Sequence, residues 1–97
     1  MATLYVTEFA DVSATQGVTI AKQPAVAEQT VAIAAGSAQS SAFNQRTRYV
    51  RLTADSIYSV VINANPTAAA TNMRLAAGTV EYFDVPQGAK VAVITNT

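Results

Sequence analysis

The side chains that could do chemistry in this 97-residue chain are few and scattered. The sequence has no histidine and no cysteine, so the usual metal sites and nucleophile–base pairs lack their ligands and bases. Glu81 and Asp84 are an acidic pair, but residues three apart on a strand face opposite sides of a sheet. We therefore expect surface acids, with no catalytic residue, no metal and no cofactor.

A short basic cluster is the second candidate for chemistry. Arg46, Arg48 and Arg51 surround Tyr49, a combination that can bind nucleic acid through phosphate contacts and base stacking. Six acidic residues balance the six basic ones, whereas a nucleic-acid footprint needs a basic excess. We expect these arginines to contact a protein partner or to form salt bridges within the chain, and we do not expect a nucleic-acid partner.

The elements that must position these side chains have the pattern of short β-strands. In residues 48–53, Val50 and Leu52 alternate inward while Tyr49, Arg51 and Thr53 face outward. Similar patterns cover 29–34, 38–43, 57–63, 72–75, 79–85 and 90–95. Strands repeating about every 8–12 residues are typical of a sandwich or barrel. The sequence predicts an all-β fold, a small β-sandwich that forms a jelly roll of seven or eight short strands.

Two finer expectations concern the second half of this sandwich. Met73 and Leu75 should both face inward on the strand over 72–75. Pro86 and Gly88 predict a type I turn with proline second and glycine fourth.

The first 28 residues have a different texture from the rest. Residues 1–28 predict an N-terminal arm or hairpin packed on the body, and residues 29–97 predict the sandwich domain. Leu4, Tyr5 and Phe9 would anchor the arm. The start of the chain lacks the basic and apolar segments of a signal peptide, and no apolar run approaches the about 20 residues that span a bilayer. We expect a soluble protein made in a cytoplasm, with no membrane partner.

The composition favours association. Charged residues make up 12% of the chain, against about 25% in typical domains, and the net charge is zero. Such a surface promotes self-association or assembly with a partner. A secreted monomer with a polar, uncharged surface is the alternative that composition leaves open.

Four sequence segments carry a resemblance to a known class of proteins. The segments FNxxTRxVRLxAD, NPTA, MxLAAGxxEYFxVPxG and KVAVIxNT resemble the small structural proteins encoded in the head-gene modules of tailed bacteriophages. The resemblance covers roughly residues 29–97. It implies a capsid cement (decoration) protein, a jelly-roll domain that binds the outer face of the shell as a dimer or trimer. The implied partners are the major capsid protein and further copies of the chain, and the implied location is the virion.

Three parts of the chain are the candidate contacts of such a protein: the arm, the basic cluster and the loop over 63–72. Their candidate interface residues are Leu4, Tyr5, Phe9, Arg46, Arg48, Tyr49, Arg51, Asn65 and Pro66. The alternative is a receptor- or carbohydrate-binding module of a phage fibre or tail component, in which Tyr5, Tyr49, Tyr58 or Tyr82 would stack on sugars. A small hydrolase built on the six acidic residues is the remaining enzymatic alternative.

Overall fold

The computed structural model describes residues 2–15, 17–21 and 23–96. Within these ranges the chain forms ten β-strands. They are β1 (Ala2–Phe9), β2 (Val12–Thr15), β3 (Val18–Ala21), β4 (Ala27–Ile33), β5 (Ala38–Gln39), β6 (Tyr49–Ala54), β7 (Tyr58–Asn63), β8 (Met73–Leu75), β9 (Val80–Asp84) and β10 (Lys90–Thr95).

Eight of these strands form two antiparallel sheets packed face to face. The first sheet has the order β4-β1-β6-β9, and the second has the order β5-β10-β7-β8. The remaining strands, β2 and β3, pair only with each other as a hairpin. The predicted all-β sandwich is therefore confirmed.

The strand pairing is nested. β7 pairs with β8, β6 with β9, and β5 with β10, and these pairs alternate between the two sheets. The chain thus forms one long hairpin that wraps around the core, which is the pairing pattern of a jelly roll. β1 and β4 form the outermost pair of the series. The nested order would pair β4 with a strand that follows β10, and β1 takes that position instead.

The region 1–28 divides into two different parts. β1 is a central strand of the first sheet, between β4 and β6, and its Leu4 and Val6 are buried in the core. The β2–β3 hairpin is the part that lies outside the two sheets. The sandwich therefore draws strands from both sides of the boundary predicted at residue 28.

The core is built mainly from valine, with few large side chains. Val50 and Leu52 face inward as predicted, and both are fully buried. The core cluster consists of Leu4, Val6, Val31, Ile33, Phe43, Val50, Leu52, Ala54, Tyr58, Val60, Val85, Ala89, Val91 and Val93.

Three local predictions are corrected. Met73 and Leu75 lie opposite Val60 and Tyr58 on the core side, as predicted, but Met73 is 43% exposed, because β8 is a three-residue strand at the edge of its sheet. The strand expected over 38–43 is only the two-residue β5. The turn expected to end at Gly88 lies one residue later: the amide of Ala89 donates to the carbonyl of Pro86 at 3.3 Å. Gly88 has φ 74° at the third position, as a type II turn requires.

A buried carboxylate ties the first sheet to the loop that precedes β6. Glu8 is 2% exposed and points inward from β1. Its Oε1 accepts hydrogen bonds from the amide of Asn44 at 2.8 Å and the hydroxyl of Thr47 at 2.7 Å, and its Oε2 accepts one from Nε2 of Gln29 at 3.0 Å. Gln29 in turn accepts a hydrogen bond from the amide of Ser41 at 2.9 Å. In each of these three hydrogen bonds the neighbouring group is the donor, so the side chain at position 8 must be the acceptor.

We predict that Glu8→Gln lowers the free energy of unfolding by about 2 kcal/mol, because the new amide places a donor against the Nε2 donor of Gln29. Adding Gln29→Glu should recover at least half of that loss, since it restores an acceptor opposite the new donor. Urea denaturation measures both changes. Glu28→Gln, which removes the same charge from an exposed neighbour, is the control and should leave stability unchanged. Equal stability of Glu8→Gln and wild type would contradict the role given to this carboxylate.

Tyr58 places a hydroxyl in the core without a hydrogen-bond partner. Its side chain is fully buried, and its OH and the Oγ of Ser56 are buried polar atoms with no partner among the described residues. Desolvation by burial raises the pKa of Tyr58 above 10.0, and the negative charge of Glu81 raises this pKa further. The folded state therefore holds this proton more tightly than the unfolded chain does.

We predict that Tyr58→Phe is at least as stable as wild type at pH 7, because it removes a buried hydroxyl that makes no hydrogen bond. Above about pH 10 the unfolded chain loses the tyrosine proton while the folded state keeps it, so wild-type stability falls as pH rises until the folded pKa is passed. The variant should lack this part of the loss in urea denaturation at pH 8 and pH 11. The exposed Tyr5→Phe is the control and should retain it. Parallel pH profiles for Tyr58→Phe and wild type would refute the prediction.

Candidate functional site

The outer face of the second sheet is covered by the chain's own loop over 64–72. Tyr58 and Val60 face the core, so Ser59 between them points outward; Ala92, between Val91 and Val93, does the same. Ser59 and Ala92 are nevertheless fully buried. Oγ of Ser59 lies 3.5 Å from the carbonyl of Ala70 in the loop, and Nδ2 of Asn96 donates to this Oγ at 2.6 Å, so the loop and Asn96 lie over this face at Ser59.

Hydrogen bonds hold this loop in place. Nε2 of Gln39 donates to the carbonyl of Pro66 at 2.6 Å, and the amide of Ala68 donates to Oγ of Ser37 at 2.8 Å. Nδ2 of Asn96 donates to the carbonyl of Ala70 at 3.1 Å. Pro66 and Ala68 are themselves buried. The loop is therefore part of the folded body.

The outer face of the first sheet is open by contrast. Tyr5 on β1 and Tyr82 on β9 point away from the core and are 48% and 53% exposed. The register aligns Tyr5 with Thr53 and Thr53 with Val80, so Tyr5 and Val80 flank one row across the sheet. Val80 is exposed as well. Exposed large side chains thus lie on both sides of β6, with Thr53 and Arg51 of β6 between them.

An aromatic ladder supports this face. The rings of Phe9 and Tyr49 stack with centroids 5.2 Å apart and planes 18° apart, and the rings of Tyr49 and Tyr82 lie 6.2 Å apart at 47°. Phe9 is almost fully buried beneath its neighbours, Tyr49 is half-buried, and Tyr82 is exposed. The ladder therefore runs from the interior of the molecule to its surface.

The β2–β3 hairpin extends the apolar surface. Val12 and Ile20 are exposed on it, Ile20 to 50%. They line a groove of about 460 Å³ together with Tyr49 and Tyr82, and the groove surface is mostly apolar. We call the surface formed by Tyr5, Val12, Ile20, Tyr49, Val80 and Tyr82 the open face.

The hairpin is joined to the first sheet at its base. The hydroxyl of Tyr49 donates to the carbonyl of Asp11 at 2.7 Å. The amide of Arg48 donates to the carbonyl of Phe9 at 2.8 Å, and the amide of Val26 donates to the carbonyl of Glu8 at 2.8 Å. The chain therefore leaves the sheet after β1 and returns before β4 at fixed points, which places the hairpin beside Tyr49.

Acidic residues lie near two arginines of the predicted basic cluster. Arg46 and Arg48 are exposed and precede β6, and Arg51 lies on the outer face of β6. Asp11 lines one shallow pocket with Arg46 and another with Arg48. Arg48 also shares a pocket with Asp84. Acidic side chains thus line the same surface depressions as these two arginines.

Arg46 and Arg48 are exposed before β6, and the structure sorts the other seven predicted contact residues into three groups. Tyr5, Tyr49 and Arg51 lie on the outer face of the first sheet. Leu4 and Phe9 are removed from the candidate surface because they are buried. Pro66 is a buried residue of the loop over 64–72. Its neighbour Asn65 is exposed, and its Oδ1 accepts a hydrogen bond from Nε2 of Gln39 at 3.1 Å.

Sequence reasoning missed several members of the open face. Val12, Ile20 and Val80 are not among the predicted contact residues, and Tyr82 was considered only for sugar stacking. The alternation of Val80 and Tyr82 with Glu81 and Phe83 could have placed the first two on one face. Nothing in the sequence indicates that the hairpin lies beside that face.

The described part of the chain brings together no group of three acidic side chains suited to hold a metal ion. It also contains no helix with the length and apolar character needed to cross a membrane. The chain matches no family model, no curated protein and no solved structure.

We predict that Tyr49→Phe loosens the hairpin without unfolding the sandwich, because the hydrogen bond to the Asp11 carbonyl is removed while the ring stack with Phe9 remains. Hydrogen exchange of the β2 and β3 amides should become about fivefold faster, the effect of losing about 1 kcal/mol. Amides of β6 and β10 should be unchanged. Tyr82→Phe is the control and should exchange like wild type. Unchanged hairpin exchange in Tyr49→Phe would show that this bond does not hold the hairpin.

Proposed function

We propose that this protein is a structural, non-enzymatic virion protein of a tailed bacteriophage, which binds the outside of the capsid as a homo-oligomeric cement protein. The capsid as partner, and the dimer or trimer, rest on the resemblance of residues 29–97 to phage head proteins. The proposal further assigns the contact to the open face.

One observation carries this assignment: a loop of the chain covers the outer face of the second sheet, whereas the outer face of the first sheet is exposed. The second sheet is shielded by the loop over 64–72, while the first sheet exposes Tyr5, Val80 and Tyr82 to solvent. Contiguous exposed apolar surface on a small protein marks an interaction site. Tyrosine is also enriched at the centre of protein interfaces, where its ring is buried and its hydroxyl finds a partner.

Energetics support a partner for this face. A tyrosine ring buries about 150–250 Å², and apolar burial contributes about 25 cal/mol per Å². Covering the exposed parts of Tyr82, Tyr5 and Ile20 would therefore contribute a few kcal/mol per copy. Linking several copies in an oligomer raises the effective concentration for each further contact, so weak single contacts suffice on a repetitive shell.

We predict that Tyr82→Ser and Ile20→Ser each weaken binding to phage heads lacking the protein by about tenfold or more, because each removes apolar area from the contact. Co-sedimentation with the heads measures binding, and the disruption temperature of the decorated heads measures stabilisation. Both substitutions are at exposed side chains and should leave the fold intact.

Met73→Ser is the matched control, because Met73 is equally exposed but lies on β8 of the second sheet. It should bind like wild type. Light scattering of the same samples gives the oligomeric state, expected to be a dimer or trimer. Wild-type protein that does not bind the heads would contradict the proposed function. Equal losses in Met73→Ser and Tyr82→Ser would contradict the assignment to the open face.

A carbohydrate-binding module of a fibre or tail component is the second candidate function. Tyr49 and Tyr82 line an open groove whose volume suits a small ligand, and this observation favours it. A glycan array separates the two candidates. Binding of a defined sugar that is abolished by Tyr82→Ser would favour this second function, and an array without binding would remove it.

A further inference from the structure

β9 is the edge of the first sheet next to the open face. It pairs with β6 on one side and with no other strand of the described chain. The amide of Val85 donates to the carbonyl of Arg48, and the amide of Gly78 donates to the carbonyl of Ala54. Both carbonyls point toward β9 from even-numbered positions at the two ends of β6, which places Val50 and Leu52 of β6 in the same phase. The amide of Arg48, just before the strand, is the exception, because it donates to Phe9 of β1.

The hydrogen-bond pattern between β6 and β9 determines which N–H and C=O groups of β9 have no partner on β6. In an antiparallel pair, alternate residues direct both backbone groups to the same neighbour. Glu81 and Phe83 stand opposite Leu52 and Val50, and so face β6. Val80, Tyr82 and Asp84 therefore direct their N–H and C=O groups to the free side, where a further strand can pair with them.

The groove of the open face begins at this edge. Tyr82, Phe83 and Asp84 line it from β9, and Thr19 and Ile20 line it from β3. β3 pairs only with β2 within the described residues. A strand added to β9 would place every second side chain on the outer face, in the groove between Tyr82 and Ile20. Backbone pairing and apolar burial would then act together.

The charged side chains of β9 determine which side chains an added strand should carry. Glu81 and Asp84 are exposed, and Val80–Asp84 contains no basic residue. A second copy of β9 would bring two more carboxylates to the same edge, so self-pairing is opposed. Arg48 and Arg51 belong to the β6 side, one strand further from the incoming chain. Basic side chains opposite Glu81 and Asp84 would be complementary.

We propose that β9 binds an extended segment of the shell protein by strand addition, and that this segment carries basic residues opposite Glu81 and Asp84 with apolar residues between them. Strand addition to a free sheet edge obtains affinity from the backbone and specificity from alternate side chains. The inference rests on the proposed function for the source of the segment. The recognition chemistry rests on the edge, the groove and the two carboxylates.

Synthetic peptides test the recognition directly. In the peptide TKIVKVT, antiparallel pairing sets the two lysines opposite Asp84 and Glu81 and the central valine opposite Tyr82. NMR titration should shift the amides of Val80, Tyr82 and Asp84, and the affinity should exceed that of TEIVEVT by about tenfold. TKIPKVT, in which a central proline removes a backbone donor, should bind more weakly than TKIVKVT.

The double variant Glu81→Lys/Asp84→Lys should reverse the preference, binding TEIVEVT more tightly than TKIVKVT. Equal affinities for the two peptides, or shifts confined to other strands, would overturn the proposal. The same variant should also lose binding to phage heads, and retained binding would overturn the role of this edge in assembly. Peptide binding at β9 by a wild-type protein that ignores the heads would refute the capsid function while leaving the edge recognition in place.

Discussion

The buried carboxylate of Glu8 fixes the point at which the chain enters β6, and the open face depends on that point. Glu8 accepts hydrogen bonds from Asn44 and Thr47, which precede β6, and from Gln29 on β4. Phe9, the next residue, points to the opposite side of the sheet and stacks on Tyr49. Adjacent residues of β1 thus hold the same segment from both faces. Because the carboxylate is removed from water, both of its oxygens need hydrogen-bond donors from the protein. This requirement fixes the position of the segment that precedes β6.

The two sheets have equal numbers of strands, but the outer face of the second sheet is covered by a loop while that of the first sheet is exposed. The nested pairing places the short strands β5 and β8 at the edges of the second sheet, and the loop between β7 and β8 folds back over that sheet. The first sheet has longer strands, Tyr5 and Val80 stay exposed on its outer face, and its aromatic ladder reaches the surface at Tyr82. A small core built mainly of valine buries little apolar area, so the stability of the fold is limited. A partner that covers the exposed tyrosines would bury more apolar area and add to that stability.

Strand periodicity made the fold class predictable, and the physical reason is local. Val50 and Leu52 alternate with Tyr49 and Arg51, and this two-residue period specifies a strand whatever the rest of the chain does. The place of β1 was not predictable in the same way. Its alternation is short and weak, and only pairing with β4 and β6 makes it central. Glu8 also looked like a surface acid, because the donors that stabilise it lie 21 to 39 residues away. The open face depends on the hairpin's position, a tertiary feature with no local pattern.

A cryo-EM map of phage heads decorated with the protein tests the central claim most directly, because it shows which face of the sandwich meets the shell. The account predicts that the outer face of the first sheet and the β2–β3 hairpin lie against the shell, with Tyr82 and Ile20 buried at the contact. The loop over 64–72 should face solvent or a neighbouring copy. A map in which that loop meets the shell while Tyr82 and Ile20 remain in solvent would contradict the account.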